Sequence, residues 1–210
     1  MQHGARLGVL ALAVIVTTIH GACRSIEVRA RDDRLLRIEL FVFRGLGESQ
    51  GDQVRREVEA IWAAQAVRIE WSCAETTGCV RVVIDRPAST LPAAGREEQW
   101  NVAATRIVAG HVSGPIYVSV DAAERVVRAA SPPYSTPALR GVMVTRVVGR
   151  ALAHELAHFL LDTREHSQHG LLRARVRADD FVSPGLDGFN LDDKQLARAR
   201  RHELLVTPLQ

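Results

Sequence analysis

The sequence predicts one α/β domain of the α+β kind: a mixed five-stranded sheet, one long helix and a small C-terminal helical part. Three observations point there. Five short apolar or alternating segments fall between residues 36 and 120. A proline-free run of helical period extends from Ala138 to Leu161. The composition, 47% hydrophobic and 24% charged in 210 residues, is that of an ordinary globular chain and excludes collagen-like, coiled-coil and wholly disordered classes. A chain of this length buries a core without metals or many disulfides, so a metal site in it is expected to serve chemistry.

The chain opens with Leu7 to Ile19 (LGVLALAVIVTTI), an apolar stretch behind a short head carrying Arg6. It is shorter than the roughly 20 residues that span a bilayer and has the length of a signal-peptide core, so residues 1–22 are expected to direct export to the periplasm, the envelope or the medium. Gly21 and Ala22 are small residues suited to cleavage, whereas His20 is a poor fit three positions before the cut. Cys23 would permit a lipid anchor, although His20 also suits that recognition box badly, and no stable membrane span is expected in the mature form. Residues 23–35 form a charged linker, and 36–210 form the domain.

Leu36 to Phe43 (LRIELFVF) reads as the first strand. A helix follows, with Asp52 as its expected cap and Val54, Val58, Ile61 and Trp62 on one buried face. Val67 to Trp71 and Val80 to Ile84 are the next strands. Between them Cys73 and Cys79 flank the polar loop AETTG. In an oxidising compartment they are placed to close a small disulfide of about 2 kcal/mol; two free thiols are the other reading. Arg86 to Gln99 holds Pro87, Pro92 and Gly95 and reads as a loop. Ala104 to Ala109 and Pro115 to Val120 are strands separated by Gly110 and Gly114, and Ala122 to Ala130 is a short helix stopped by Pro132 and Pro133. Ser135 and Thr136 offer caps for the long helix, with Pro137 in its first turn and Leu139, Val142, Met143 and Val147 on its stripe. Gly141 and Gly149 weaken this helix or admit a close neighbour. A last amphipathic helix is expected from Leu191 to Leu205, capped by Asn190.

Charge carries little information about partners. The formal charge of +3 falls to +2 once residues 1–22 are removed with Arg6, and a single lysine, Lys194, stands among 27 basic residues. With 5% aromatic residues and no basic run, nucleic acid is not an expected partner.

The chemistry is concentrated near the end of the long helix, in His154-Glu155-Leu156-Ala157-His158, an H-E-x-x-H arrangement. Two histidines four residues apart lie one turn apart on the same helical face, so both imidazoles can reach one Zn²⁺ at about 2.0–2.1 Å. The glutamate between them is placed to take a proton from an attacking water and hand it to a leaving amine. His166, past the expected helix end, is the preferred third ligand. Asp162 on a continuing helix would stand about 12 Å along the axis from His154, too far to share the ion. His169 is a substitute, and Glu203 in the last helix would serve if the site followed the gluzincin plan. Three protein ligands plus water make a catalytic site and not a closed structural one.

HELAHFLLDTREHS followed by Gly170-Leu171-Leu172-Arg173-Ala174 resembles the metzincin-type zinc metallopeptidases, and especially small exported bacterial metallopeptidase-like proteins reading HExxHxLL…H…GLMRA. The resemblance is close over Val144 to Ala174. It implies Zn²⁺ held by His154, His158 and His166, Glu155 as general base, Leu172 in place of the methionine of the turn beneath the metal, and a peptide or protein substrate. Where metzincins place a glycine and their third histidine, this chain has Leu161 and Arg164, and no tyrosine follows the motif. Arg173 reads as a surface residue or as a group that polarises the substrate carbonyl. In such enzymes an antiparallel strand at the sheet edge lines the cleft, and Thr105 to Val120 would fill that part. The expected activity is therefore that of an exported zinc endopeptidase. The alternative is a catalytically inactive zinc-binding module of the envelope that keeps the fold, and a third reading has both histidines and Glu155 merely hydrogen-bonded in a helical core.

Overall fold

Alternation puts Leu36 and Ile38 into the core and leaves Arg37 in solvent, so residues Arg34–Val42 extend as strand β1. The computed structural model describes residues 34–42, 45–72, 79–86, 101–109, 111–202 and 205–206. The expected signal peptide, most of the linker, Cys23, Phe43, Cys73 and Glu203 lie outside the described residues. β1 starts two residues before the expected strand and takes Arg34 and Leu35 from the linker.

Helix α1 (Glu48–Ala63) buries Val54, Val58, Ile61 and Trp62 at 0–1% exposure, the face its periodicity predicts. It begins a turn earlier than expected. Gly47 is the N-cap, its N–H donating to Gln50 Oε1 at 3.0 Å, while Asp52 lies inside the helix and pairs with Arg55 at 2.8 Å. A glutamine reaching back to the cap, together with Glu48 in the first turn, is enough to start the helix ahead of the aspartate.

Strands β2 (Val67–Glu70), β3 (Val80–Asp85), β4 (Ala103–Val108) and β5 (His111–Ser119) complete the path β2-β1-β3-β5-β4. β1, β2, β3 and β5 are mutually parallel where they pair, and β4 is antiparallel to β5 at the end of the path. The fold is thus mixed α/β with a five-stranded sheet path, as expected. β5 starts earlier than Pro115 because a register shift lies opposite: Thr105 faces Ile116 and Arg106 faces Ser113, leaving Gly114 and Pro115 unmatched. A residue without an N–H is tolerated in such a bulge. Of the stretch Thr105 to Val120 expected at the sheet edge, only β4 stands at an end of the path, while β5 lies inside the sheet between β3 and β4.

Helices α2 (Val120–Ala130) and α3 (Pro137–Leu161) follow. Ser119 Oγ caps α2 through Ala122 N at 3.1 Å, and Thr136 Oγ1 caps α3 through Leu139 N at 3.2 Å with Pro137 at its start. α3 packs on α1, α2 and strands β4 and β5. At Gly149 an added Cβ would meet Glu57 Cβ at 2.8 Å and Val54 O at 3.3 Å, so glycine here sets the approach of α1 to α3. α3 ends at Asp162, whose φ of 42° is left-handed and turns the chain back toward the helix.

The C-terminal part differs from expectation. Helix α4 (Ala178–Val182) was not anticipated, and helix α5 (Asp193–Ala199) is shorter than the predicted 191–205. Its cap is Asp192, not Asn190. Asp192 Oδ1 accepts from Gln195 N at 2.7 Å while Gln195 Oε1 accepts from Asp192 N at 3.0 Å, a reciprocal box that Asn190 cannot form from two residues upstream. Leu205–Val206 form β6, antiparallel to Leu35 and Leu36 of β1. Among the described residues no helix is long and apolar enough to cross a membrane.

Candidate metal centre

His154 and His158 project from the last two turns of α3, and the left-handed turn at Asp162 returns the following segment so that His166 joins them. The Nε2 atoms of His154 and His158 are 3.0 Å apart and those of His158 and His166 are 3.3 Å apart. All three histidines offer ring nitrogens within 4.8 Å of one another. Four donors about 2.0–2.1 Å from a tetrahedral ion stand about 3.3 Å from each other, which is close to the observed spacing.

The tautomers are fixed by backbone carbonyls. Nδ1 of His154 lies 2.7 Å from Leu171 O, and Nδ1 of His158 lies 2.8 Å from Thr163 O. A carbonyl oxygen only accepts, so each Nδ1 carries the hydrogen and each Nε2 is left with a lone pair. Burial holds both imidazoles neutral, with the pKa lowered to about 3 for His154 and about 4 for His158; the neighbouring histidines add to the effect. Burial also lowers the pKa of His166. Two bare lone pairs facing each other at 3.0 Å repel unless a cation lies between them. That donor set fits Zn²⁺, and carbonyl-anchored Nδ1–H groups are the usual support of zinc-binding histidines.

Glu155 is buried, and burial raises its pKa to about 7; the backbone N–H of Thr105 on β4 donates to it and acts in the opposite direction. A dication on the histidines would counter that desolvation. Glu155 and the three histidines line one cleft of about 530 Å³. Residues 101–105 and Ile107 form one wall, α3 the floor, and Thr163, Arg164, residues 173–176 and Phe181 the other wall.

The remaining candidates fall elsewhere. Asp162 is no ligand: its carboxylate accepts from Val112 N at 2.8 Å and meets His111 Nδ1 at 2.6 Å, tying the β4–β5 hairpin to the end of α3. The pKa of Asp162 is lowered by these two hydrogen bonds. His169 is exposed and outside the cluster. Leu172 is buried in the core at 2% exposure, and the turn holding it presents Leu171 O to His154. That turn needs Gly170, whose φ is +78° and whose added Cβ would run into Asn190 O. Arg173 is not a plain surface residue: Nη1 lies 3.3 Å from Asp180, and the guanidinium sits 5.3 Å over the Phe189 ring. Cys79 is disulfide-bonded. Sequence reasoning missed Leu171 O, Thr163 O and Thr105 N–H, because backbone groups carry no side-chain signature. In comparisons with known proteins, no family profile and no curated protein matches the chain.

Proposed function

We propose that this protein is an exported zinc-dependent peptidase in which His154, His158 and His166 hold the ion and Glu155 is the general base. The observation that carries the reading is the pair of facing Nε2 lone pairs on His154 and His158, with Nδ1 of each ring tied to a carbonyl and Glu155 between them in the chain. A bound Zn²⁺ supplies Lewis-acid polarisation of a carbonyl and acidifies a water.

The other roles belong to the chain. Glu155, held by the Thr105 N–H, takes the proton of the attacking water and returns it to the leaving amine. The outer edge of β4, unpaired among the described residues, offers main-chain groups to an extended peptide beside the cleft. The disulfide at Cys79 supports an oxidising compartment.

The test is elemental analysis of the purified protein with hydrolysis of an unfolded protein substrate, comparing wild type with Glu155→Ala and His166→Ala. Expected are one zinc per chain in wild type and Glu155→Ala, hydrolysis only in wild type, and reduced zinc in His166→Ala. Zinc without Glu155-dependent cleavage would indicate a binding module instead, and metal-free protein unaffected by chelator would leave the histidines as core residues.

A further inference from the structure

The wall of the cleft that follows α3 carries Arg164, Arg173 and Arg175, and among the described lining residues Glu155 is the only acid. Arg173 is engaged with Asp180 and packs on Phe189. Arg164 is exposed and makes no hydrogen bond or ion pair among the described residues. Its backbone is fixed on both sides. Thr163 O holds His158 Nδ1 at 2.8 Å, Thr163 Oγ1 accepts from Glu165 N at 3.2 Å, and Nε2 of His166 stands 3.3 Å from that of His158. The neighbouring Glu165 does not line the cleft. A guanidinium on a short tether between two anchored residues, in a concave site where the buried Glu155 is the only carboxylate among the described lining residues, has the geometry of an anion contact.

We propose that the cleft selects peptides with a carboxylate close to the scissile bond, and that Arg164 is the residue that recognises it. This rests on the peptidase reading given above. The carboxylate has two sources, an Asp or Glu side chain or the free C-terminus of a short peptide.

The experiment uses zinc-loaded full-length domain and one peptide frame bearing Glu, Gln or Lys on either side of the scissile bond, each with a free or an amidated C-terminus. The amidated Glu peptide is expected to exceed its Gln counterpart about fivefold in kcat/KM, as an exposed charge pair allows, with Lys lowest and the ranking compressed by salt. Arg164→Glu should invert the ranking while retaining zinc. An advantage confined to free-acid peptides supports carboxylate recognition and identifies its source as the C-terminus. Equal kcat/KM for Glu, Gln and Lys together with no advantage of a free over an amidated C-terminus, or a preference unchanged in Arg164→Glu, overturns the proposal. Fluorescence anisotropy of the same peptides on zinc-loaded Glu155→Ala reads the preference without turnover. A protein that binds the Glu peptide selectively but cleaves nothing thus separates failure of the peptidase reading from failure of this one.

Discussion

Arg150 Nε donates to Glu57 Oε1 at 2.7 Å across the contact of α3 with α1, from a side chain with no solvent exposure. The same guanidinium reaches the carbonyls of Asp180 at 2.6 Å, Phe181 at 3.1 Å and Gly185 at 2.7 Å, and it stacks 4.7 Å over Phe189. One turn before His154, this residue fastens α1, α3 and the α4 segment together behind the cleft. Gly149 makes the contact possible by letting α1 come close enough for Glu57 to reach.

Arg150→Met should therefore be among the most damaging single changes in the domain. It strands a carboxylate and three carbonyls, and breaking a buried pair from one side costs about 3–5 kcal/mol. Urea unfolding measures the loss, and early protease cutting near 178–185 should accompany it. A midpoint close to wild type would show that the clamp contributes little.

Protons should compete with zinc through Glu155 more than through His154 and His158. With those two rings depressed to about 3 and about 4, both are already neutral above about pH 5.5, whereas burial raises Glu155 to about 7 and a dication beside it favours its charged form, so zinc affinity should rise from pH 5.5 to 8. Titration against a competing chelator at several pH values checks this: the slope should largely vanish in Glu155→Gln, and a slope unchanged by that substitution would contradict it.

Metal-free protein should show a carboxyl-linked stability change of opposite sign to the histidine one. Glu155 has a folded pKa of about 7 against an ordinary 4.5, so its contribution is complete below pH 4.5 and is lost as pH rises through 7. The histidines have depressed values, so their contribution is present above pH 6.5 and is lost as pH falls toward 4 and 3. In chelator, Glu155→Gln should exceed wild type in stability by on the order of 3 kcal/mol at pH 8, with the gap closing near pH 4.5. Parallel melting curves for the two proteins across that range would refute the assignment.

Gly170→Ala should weaken zinc binding without touching a ligand. The new Cβ meets Asn190 O at a left-handed position, a strain of about 1–3 kcal/mol, and the displaced turn carries Leu171 O away from His154. Losing such a carbonyl partner typically lowers metal affinity about 10–100-fold. Competition titration with thermal melting reads both effects, and unchanged affinity would show that Leu171 O is dispensable.

How much of this was legible depended on whether the cause lay in local sequence. The α3 start was legible because Thr136 and Pro137 are side-chain signals, and the buried face of α1 because Val54, Val58, Ile61 and Trp62 repeat at helical spacing. The five residues of α4 are too few to display a period, and β6 exists only because it pairs with a strand far away in the chain. Gly114 reads as an interruption before a strand that starts at Pro115, whereas the bulge accommodates both residues within β5. At the candidate site, His154, Glu155 and His158 announce themselves by spacing. The return of His166 depends on a left-handed backbone at Asp162, and Arg150 looks like any helical arginine until its carbonyl partners are in place.

The three histidines and the carbonyls that orient two of them all fall within residues 154–172, whereas the sheet depends on pairings such as β1 with β6 that span most of the domain. Short-range contacts close quickly and distant strand pairings slowly. The ion would therefore meet its ligands in a helix and turn able to form before the sheet closes, and an early-formed contact of this kind accelerates folding more than it slows unfolding. In refolding experiments zinc should act chiefly on the folding arm of the chevron, making metal supply a determinant of how fast the chain matures and not only of how long it lasts.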